Sequence, residues 1–577
     1  MRGAAGSQSD PRAQPGRVWC IGDWAKIDPR TGQVHGSDES VDVLCLRNDV
    51  WDAESGVASL RGARNEFLSF QIVIESLGAP IRDISVSAQD FEGPDRLVAD
   101  RHVQFFRELQ VSVEGGWYPD GLLPFDLGCA LPFSVPDSEN GIPNQRVAVV
   151  WVDVYVPKAI PVGAYEAAFK VSYRGMYKLS EFFVHLQVVD LTLPDHLSLH
   201  VDLMDTGNSS AVCGFPGVIV DSPRYRAIER EFYRMAHAHR ATFSMVPCGQ
   251  DGAVPKGLAP PLRGVGDRIS VAGWAEWDER FGPLLDGSAF EDLPRGGLPI
   301  SHFILPVGLE YPSSSRYFGT DRFEVENRTI VTEFIYHIAQ KGWIDPLYLV
   351  YYNAKKQYGF YPWDLQEPAS EEDVEALRTL SSVIRSSLHG HPGLRALLRL
   401  DVEHFHCTEH RECVPNIEAH LRGHFDLWNI SDSHWNDRSA ATIKGFVDND
   451  GIEAWFYTQA SRVQDSFQAM HDYPWLAWRR GAHGISFKMH GEPDTASDED
   501  QSTLALMYPG AKYGLDGPIG SMRLKVLRRG LQEFELLQIA VERKGQKAVQ
   551  DLVSATFPCR PQDWHSQRKR LMALLIE

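Results

Sequence analysis

In the first third of the chain, hydrophobic residues fall in short runs that either alternate with polar residues or are wholly apolar. Residues 67–75 (FLSFQIVIE) alternate with a period of two, which is typical of a half-buried strand. Residues 147–156 form another strand, and a turn at 174–175 joins two further strands into a hairpin. Regularly spaced strands with turn signals predict an antiparallel β-sandwich over residues 37–197, after an N-terminal tail over residues 1–36.

From residue 198 the pattern changes to strand, helix, strand. The eight predicted strands cover residues 199–204, 241–246, 302–307, 347–352, 394–400, 424–430, 453–458 and 483–489. Eight strand-plus-crossover units predict an α/β barrel of the (β/α)8 TIM type over residues 198–540. The helices after strands six and seven are poorly marked, so closure of the barrel is an inference. A helical pattern over residues 541–577 predicts a C-terminal helical cap.

The charge balance excludes one class of partner. The 577 residues include 57 basic and 77 acidic side chains, a net charge of −20 with no basic cluster, so counterion release would not drive binding to nucleic acid. The most apolar stretch, residues 147–156, is too short to span a bilayer, and residues 1–16 lack the apolar core of a secretory signal. We therefore expect a cytoplasmic protein without membrane or nucleic-acid partners. The sequence indicates no cofactor and leaves the oligomeric state open.

In barrels of this type, the functional groups lie where strands end and loops begin. The acids at the ends of predicted strands three and five are Glu310, Asp401 and Glu403, and we predict that they are catalytic. The residues predicted to bind substrate at the strand ends are Asp205, Tyr311, Tyr352, Asn353, Trp428, Asp432, Tyr457 and Lys488. Converging carboxyl groups and aromatic rings are typical of a sugar-hydrolysing site. A carbohydrate is therefore the expected substrate or ligand, although any one of these acids could instead cap a helix or pair with an arginine.

Short motifs spread over most of the chain resemble one known family. They are RGARNEF at 61–67, DVYVPK at 153–158 with GAY at 163–165, HAHR at 237–240, KGW at 341–343, YPG at 508–510 and SMRLKVLRRGLQEFE at 521–535. RGARNEF, DVYVPK and GAY resemble the N-terminal β-sandwich that precedes barrels of the glycoside hydrolase family 123 type. YPG and SMRLKVLRRGLQEFE look like the signature of the domain of unknown function 4091, under which many of these proteins are filed. The resemblance implies a sandwich followed by a barrel that acts on glycans.

The resemblance also implies a specific pair of catalytic acids, which this chain lacks. Characterised members of family 123 are β-N-acetylgalactosaminidases, and their fourth barrel strand ends in a consecutive Asp-Glu pair. The Asp holds the substrate's own acetamido group as internal nucleophile, and the Glu is the general acid. Here Asn353-Ala354 takes these positions, and Lys488 stands where the family often has Trp. Asn353 cannot carry the charge that stabilises an oxazolinium-like intermediate, and Ala354 cannot donate a proton. We therefore expect no standard β-N-acetylgalactosaminidase activity.

Three interpretations of the function remain open. In the first, a glycoside hydrolase-like protein acts on a glycan or glycoside through Glu310, Asp401 and Glu403. In the second, the barrel binds carbohydrate without cleaving it, which the loss of both family acids favours. In the third, three His and two Cys within residues 404–413 bind zinc for a metal-dependent hydrolysis. That segment lacks the Cys-x-x-Cys spacing of many zinc sites, so we predict no metal ligands.

Overall fold

The computed structural model describes residues 15–127, 130–138, 141–175, 177–206, 212, 214–246, 249–366, 368, 370–402, 420–489 and 505–576. These residues form an N-terminal domain of antiparallel strands, a domain built around parallel strands, and a C-terminal helical region. None of the helices in this part of the chain is long and apolar enough to cross a membrane.

The N-terminal domain is a sandwich of two sheets. Its strands are β1 (Gly16–Gly22), β2 (Trp51–Asp52), β3 (Val57–Arg64), β4 (Glu66–Ser76), β5 (Ile81–Ala88), β6 (Val103–Val113), β7 (Gly116–Pro124), β8 (Phe133–Val135), β9 (Val147–Val156), β10 (Gly163–Tyr173) and β11 (Tyr177–Thr192). One sheet has the order β1-β4-β9-β6-β7 and the other the order β2-β3-β11-β10-β5-β8. Among these strands every pair is antiparallel except β3 and β11. The hairpin predicted around residues 174–175 is confirmed as β10 and β11.

The sandwich begins earlier than predicted. Strand β1 lies within residues 1–36, which we expected to form a tail, and it pairs with β4 from Gly16 opposite Ser76 to Gly22 opposite Phe70. Trp19 is buried in the core of the domain. The prediction was wrong here because β1 is one short apolar run beside a polar segment, and only its pairing with β4 shows that it is a strand.

The second domain contains a nearly closed barrel of eight parallel strands. These are β12 (His200–Thr206), β13 (Thr242–Val246), β16 (His302–Ile304), β17 (Leu347–Tyr351), β18 (Ala396–Val402), β19 (Leu427–Ser431), β20 (Glu453–Gln459) and β21 (Gly484–Lys488); two short hairpins contain β14 (Leu262–Arg263), β15 (Ser270–Val271), β22 (Met507–Pro509) and β23 (Pro518–Gly520). The order β13-β12-β21-β20-β19-β18-β17-β16 leaves one opening, between β13 and β16. Across it the hydroxyl groups of Thr242 and Ser301 lie 3.0 Å apart. The predicted sandwich-plus-barrel architecture is therefore confirmed in outline.

Helices surround the barrel and continue beyond it. In chain order they are α1 (Val41–Leu44), α2 (Ala99–His102), α3 (Pro223–Ala238), α4 (Ala275–Leu285), α5 (Asp321–Lys341), α6 (Glu371–Leu388), α7 (Asp437–Asp450), α8 (Gln468–Arg480), α9 (Met522–Lys544), α10 (Gln546–Thr556) and α11 (Trp564–Ile576), with 3-10 turns at Gly266–Arg268, Ser288–Phe290, Ser315–Tyr317, Gly510–Tyr513 and Pro561–Asp563. Ser370 and Asp373 form a capping box that starts α6. Helix α8 was hard to predict because Pro474 lies inside it. Helix α9 continues through the predicted domain boundary at residue 540.

Helix α9 joins the two domains through buried ion pairs. Arg523 donates two hydrogen bonds to Asp120 of β7, at 2.9 and 2.8 Å. Lys525 and Arg528 both contact Asp153 of β9, at 2.5 and 2.9 Å. Burial alone would raise the pKa of Asp153, but the two cations hold it well below its usual range. These contacts give the basic residues at the start of α9 a structural role.

On its other side, α9 packs closely against the barrel helix α8. A Cβ atom on Gly530 would lie 2.7 Å from the carbonyl oxygen of His471, so only glycine allows this approach. The carboxylate of Glu533 accepts hydrogen bonds from the rings of His471 and Trp475, at 2.8 and 2.9 Å. Helix α9 is therefore the shared wall of the barrel and the sandwich.

We expect Lys26 to make stability depend on pH. Its Nζ donates to the carbonyl oxygen of Val463 at 2.7 Å across the domain junction, and burial lowers its pKa from 10.5 to about 7. Between these values the unfolded chain binds more protons than the folded chain, so this lysine makes stability rise with pH. The unfolding free energy from urea titrations should therefore increase more steeply between pH 7 and pH 10.5 in the native protein than in Lys26→Met. The exposed Lys547→Met variant should retain the native slope, and equal slopes in all three proteins would contradict the prediction.

Candidate functional site

The interior of the barrel contains a connected group of buried charges. The guanidinium group of Arg399 on β18 donates to both carboxylate oxygens of Asp401, at 2.7 and 3.1 Å, and to Asp202 of β12 at 3.1 Å. The amide of Asn429 on β19 also donates to Asp401, at 3.0 Å. Burial lowers the pKa of Arg399, but Asp401 and Asp202 outweigh it and raise this pKa above its usual value. One buried arginine thus pairs with two buried carboxylates.

These contacts do not support the predicted catalytic role of Asp401. Its side chain is about 1% exposed, and both of its oxygens accept hydrogen bonds from Arg399. A carboxylate whose two oxygens are both occupied by a buried arginine has no free position from which to contact a leaving group. The sequence placed Asp401 correctly at a strand end, but it could not show that Arg399, two residues earlier, points to the same interior space.

Tyr457 and Lys488 lie together at the carboxyl ends of their strands, as predicted. They follow Trp455 and Ser486 at the two-residue spacing that keeps side chains on the same face of a strand. The Lys488 Nζ lies 4.9 Å from the centroid of the Tyr457 ring, a cation–π distance. Asn353 follows Tyr351 with the same spacing, and the ring of Tyr351 faces Arg399 in the interior. These three predicted residues therefore belong to the inner surface of the barrel mouth.

Four other predicted substrate-binding residues lie away from this inner surface. Trp428 is buried against Phe446 of α7, with ring centroids 4.6 Å apart. Asp432 pairs with Arg480 of α8 at 2.6 Å. Tyr352 is buried in the main hydrophobic core, on the face opposite to Tyr351. Asp205 is likewise buried and alternates with the inward-facing Met204. The sequence could not indicate these orientations, because a strand end shows where a residue lies along the barrel but not which face its side chain takes.

The loops after β13, β16 and β17 associate at the mouth. The backbone N–H of Glu310 donates to the carbonyl of Gly252 at 3.0 Å, and Asp251 forms an isolated antiparallel β-bridge with Ala354. Gly252 has φ +74°, and a Cβ there would lie 2.9 Å from Leu309, so this packing requires glycine. The Tyr361 hydroxyl donates to the carbonyl of Gln250 at 2.8 Å. The segment after β13 is therefore held between the loops that follow β16 and β17.

These loops enclose a pocket of about 510 Å³, which we call the rim cleft. Its lining includes Asp251, Glu310, Tyr358, Phe360, Tyr361 and Trp363. The carboxylate of Glu310 accepts hydrogen bonds from the backbone N–H of Ser315, at 3.2 Å, and from its hydroxyl group. The Phe360 ring is fully exposed. Two exposed carboxylates beside several aromatic rings form a surface suited to a sugar, whose hydroxyl groups bind acids and whose apolar faces stack on rings.

Tyr311, beside Glu310, has a structural contact rather than a place in the rim cleft. Its hydroxyl donates to the carbonyl of Pro260 at 2.9 Å, and burial raises its pKa. Asp251 and Phe360 were missed in the sequence. The end of strand two could have indicated Asp251, but a long Gly- and Pro-rich segment follows that strand and hides its relation to the mouth.

Glu403, the third predicted catalytic acid, lies outside the described residues. The His and Cys residues within 404–413 lie outside them as well. Within the described ranges, no group of three or more His, Cys, Asp or Glu side chains is arranged to hold a metal ion.

No family model and no curated protein sequence matches the chain. Among solved structures, it is similar to a family 123 glycoside hydrolase from Clostridium perfringens, with a TM-score of 0.64, 12% identity, and coverage of 97% of this chain and 98% of that chain. Two further structures align too loosely to support an argument. One is a family 5 xyloglucanase from Bacteroides ovatus, with a TM-score of 0.31, 8% identity, and coverage of 83% of this chain and 98% of that chain. The other is a β-glucuronidase from Bifidobacterium dentium, with a TM-score of 0.30, 9% identity, and coverage of 90% of this chain and 67% of that chain.

The chain therefore has a glycoside hydrolase-like fold, and the first of these similarities extends over both domains. The resemblance that the motifs indicated is confirmed at the level of the fold. At 12% identity the similarity does not extend to the activity.

We expect Asp401→Asn to destabilise the protein, since it leaves Arg399 buried with one carboxylate fewer. Arg399 keeps Asp202 as a partner, so the expected cost is that of the lost hydrogen bonds between charged groups, about 1.5–3 kcal/mol. The loss should appear as a lower midpoint in urea unfolding. Asp448→Asn is the matched control, because Asp448 pairs with Lys444 on the surface at 2.8 Å, and breaking such a pair costs at most about 1 kcal/mol. Equal stability of the two variants would show that Arg399 does not depend on Asp401.

Proposed function

We propose that the protein is a glycoside hydrolase-like protein that acts on a glycan bound at the mouth of the barrel, with Glu310 as the acid. The observation that carries this proposal is the rim cleft, in which two exposed carboxylates lie among aromatic side chains at the carboxyl ends of the strands. Ligand sites of (β/α)8 barrels form at this end. A ligand that reached from the rim cleft towards the barrel axis would next meet Asn353, Tyr457 and Lys488.

The proposed chemistry needs two carboxyl groups with different tasks. One protonates the leaving oxygen, and the other stabilises the sugar cation or activates water. Glu310 is proposed for the first task because its loop position leaves it exposed to a ligand, whereas Asp401 is fully engaged with Arg399. Asp251 and Glu403 are the candidates for the second task. Substrate-assisted hydrolysis through an acetamido group is not part of the proposal, since Asn353-Ala354 takes the place of the pair that such a mechanism needs.

A second candidate function is carbohydrate binding without hydrolysis. Two observations favour it: the fourth barrel strand is followed by Asn353 and Ala354, and the interior carboxylates Asp202 and Asp401 share one arginine. In this case, the aromatic residues of the rim cleft would provide the affinity, and the acids would only accept hydrogen bonds from sugar hydroxyl groups. The two functions share a site and differ in whether a bond is broken.

Turnover of aryl glycosides tests the first function. We expect Glu310→Gln to lower kcat by about 10²-fold or more on substrates with poor leaving groups, because a general acid contributes this much. The loss should be much smaller with dinitrophenyl glycosides, whose leaving group needs no proton. Glu542→Gln on the exposed side of α9 is the control and should retain full activity. If no glycoside is hydrolysed by the native protein, or if Glu310→Gln affects all substrates equally, Glu310 is not the acid.

Binding of oligosaccharides tests the site itself and applies to both functions. We expect Phe360→Ala to weaken glycan binding about fivefold, since stacking on an aromatic ring contributes about 1 kcal/mol. Because the ring is fully exposed, its removal should leave the thermal midpoint unchanged. Isothermal titration calorimetry on both proteins provides the comparison, with Tyr336→Ala, an exposed ring on α5, as the control. If glycans bind but none is cleaved, the binding function stands alone, and unchanged affinity in Phe360→Ala would place the glycan outside the rim cleft.

A further inference from the structure

A second cleft lies between the sandwich and the barrel, on the flank of the molecule rather than at the mouth. It has a volume of about 780 Å³, and we call it the junction cleft. One wall is the sheet that contains β4, β6 and β9, and the other consists of helices α3 and α9 with the segments around residues 292–294 and 515–520. Clefts of this size at domain interfaces are common ligand sites.

Three aromatic rings line the sandwich wall of the junction cleft. Phe67, Phe106 and Tyr155 are each partly exposed, and the Phe67 and Tyr155 ring centroids lie 4.9 Å apart. Arg528 lies over Phe67 at 4.1 Å, and Lys525 lies over Phe106 at 3.8 Å. These cations hold the rings in place from α9. The apolar face of a sugar would therefore stack on the ring surfaces that these two cations leave uncovered.

The cleft also contains a buried hydrogen-bond acceptor. The Nδ1–H of His239 donates to the carbonyl of Met235 at 2.7 Å, which leaves Nε2 as an acceptor. Nε2 is shielded from solvent and has no hydrogen-bond partner among the described residues. Burial and the nearby Arg528 and Lys525 hold the pKa of His239 well below its usual value, so the ring is neutral. An unsatisfied buried acceptor destabilises the folded protein, and a ligand that donates to it would offset that cost.

The charges around the junction cleft disfavour a cation, and His239 requires a ligand that can donate a proton. Asp153 balances only one of the two cations Lys525 and Arg528, and Arg234 pairs with Asp292 at 2.7 Å. A deprotonated anion has no proton to give to Nε2 of His239, and a cation would lie beside Lys525 and Arg528. A hydroxyl group satisfies the acceptor without either difficulty. Carboxylates on the α3 side, such as Glu231, can accept bonds from further hydroxyl groups.

We propose that the junction cleft is a second carbohydrate site that binds a neutral sugar, with its apolar face on the aromatic wall of Phe67, Phe106 and Tyr155 and with one hydroxyl group donating to Nε2 of His239. This site is separate from the rim cleft and does not depend on hydrolysis there. It would allow one chain to hold a glycan at two points, on the flank and at the mouth.

Saturation-transfer NMR with D-glucose, D-galactose and N-acetyl-D-glucosamine tests this site in the full chain. The measurements use a Glu310→Gln, Phe360→Ala background, which weakens binding at the rim cleft. We expect at least one of the three sugars to receive saturation. We expect His239→Gln, which removes the ring acceptor, and Phe106→Ala, which removes part of the opposite wall, each to weaken its binding about fivefold. Two variants on opposite walls keep the test valid if one of them fails to fold.

Three results would overturn the proposal. The first is the absence of saturation transfer to all three sugars. The second is sugar binding that neither His239→Gln nor Phe106→Ala weakens, since the sugar would then lie elsewhere. The third is displacement of the bound sugar by inorganic phosphate. This would show that the cations of α9 and the exposed Arg101, which also lines the junction cleft, form an anion site instead.

Discussion

The buried ion pairs of helix α9 are the interaction on which the arrangement of this protein depends. Arg523, Lys525 and Arg528 project from a barrel helix into the sandwich, where Asp120 and Asp153 receive them. A buried charge that loses its partner costs several kcal/mol, so the two domains cannot rotate against each other without a large loss of stability. The orientation of the domains, and with it the shape of the junction cleft, follows from this pairing.

The same rule applies to the interior of the barrel, where buried carboxylates pair with a buried arginine. Asp202 and Asp401 share the guanidinium group of Arg399. Acids that are satisfied in this way stabilise the barrel but are poor proton donors. The exposed carboxylates lie instead on the loops after the second and third strands, at Asp251 and Glu310. In this glycoside hydrolase-like fold, the charged residues in the barrel interior thus have a structural role.

Much of the fold could be predicted because its signals are local. Alternation predicted β4, a turn predicted the β10–β11 hairpin, and the strand rhythm predicted all eight barrel strands to within a few residues. Strand β1 was missed because its partner β4 lies some fifty residues away. The candidate site was predicted in part: Glu310, Asn353, Tyr457 and Lys488 are at the mouth, while Asp401 is engaged with Arg399.

The sequence by itself determined the order of elements, the position of each polar residue along its strand, and the absence of an Asp-Glu pair at residues 353–354. Only the tertiary structure decided which of those residues face the interior and which face the helices, because that depends on how the strands pair around the barrel. Trp428 shows the difference, since it sits at a strand end yet packs on Phe446. Both clefts are likewise tertiary features, because each joins segments that are far apart in the chain and become neighbours only through packing.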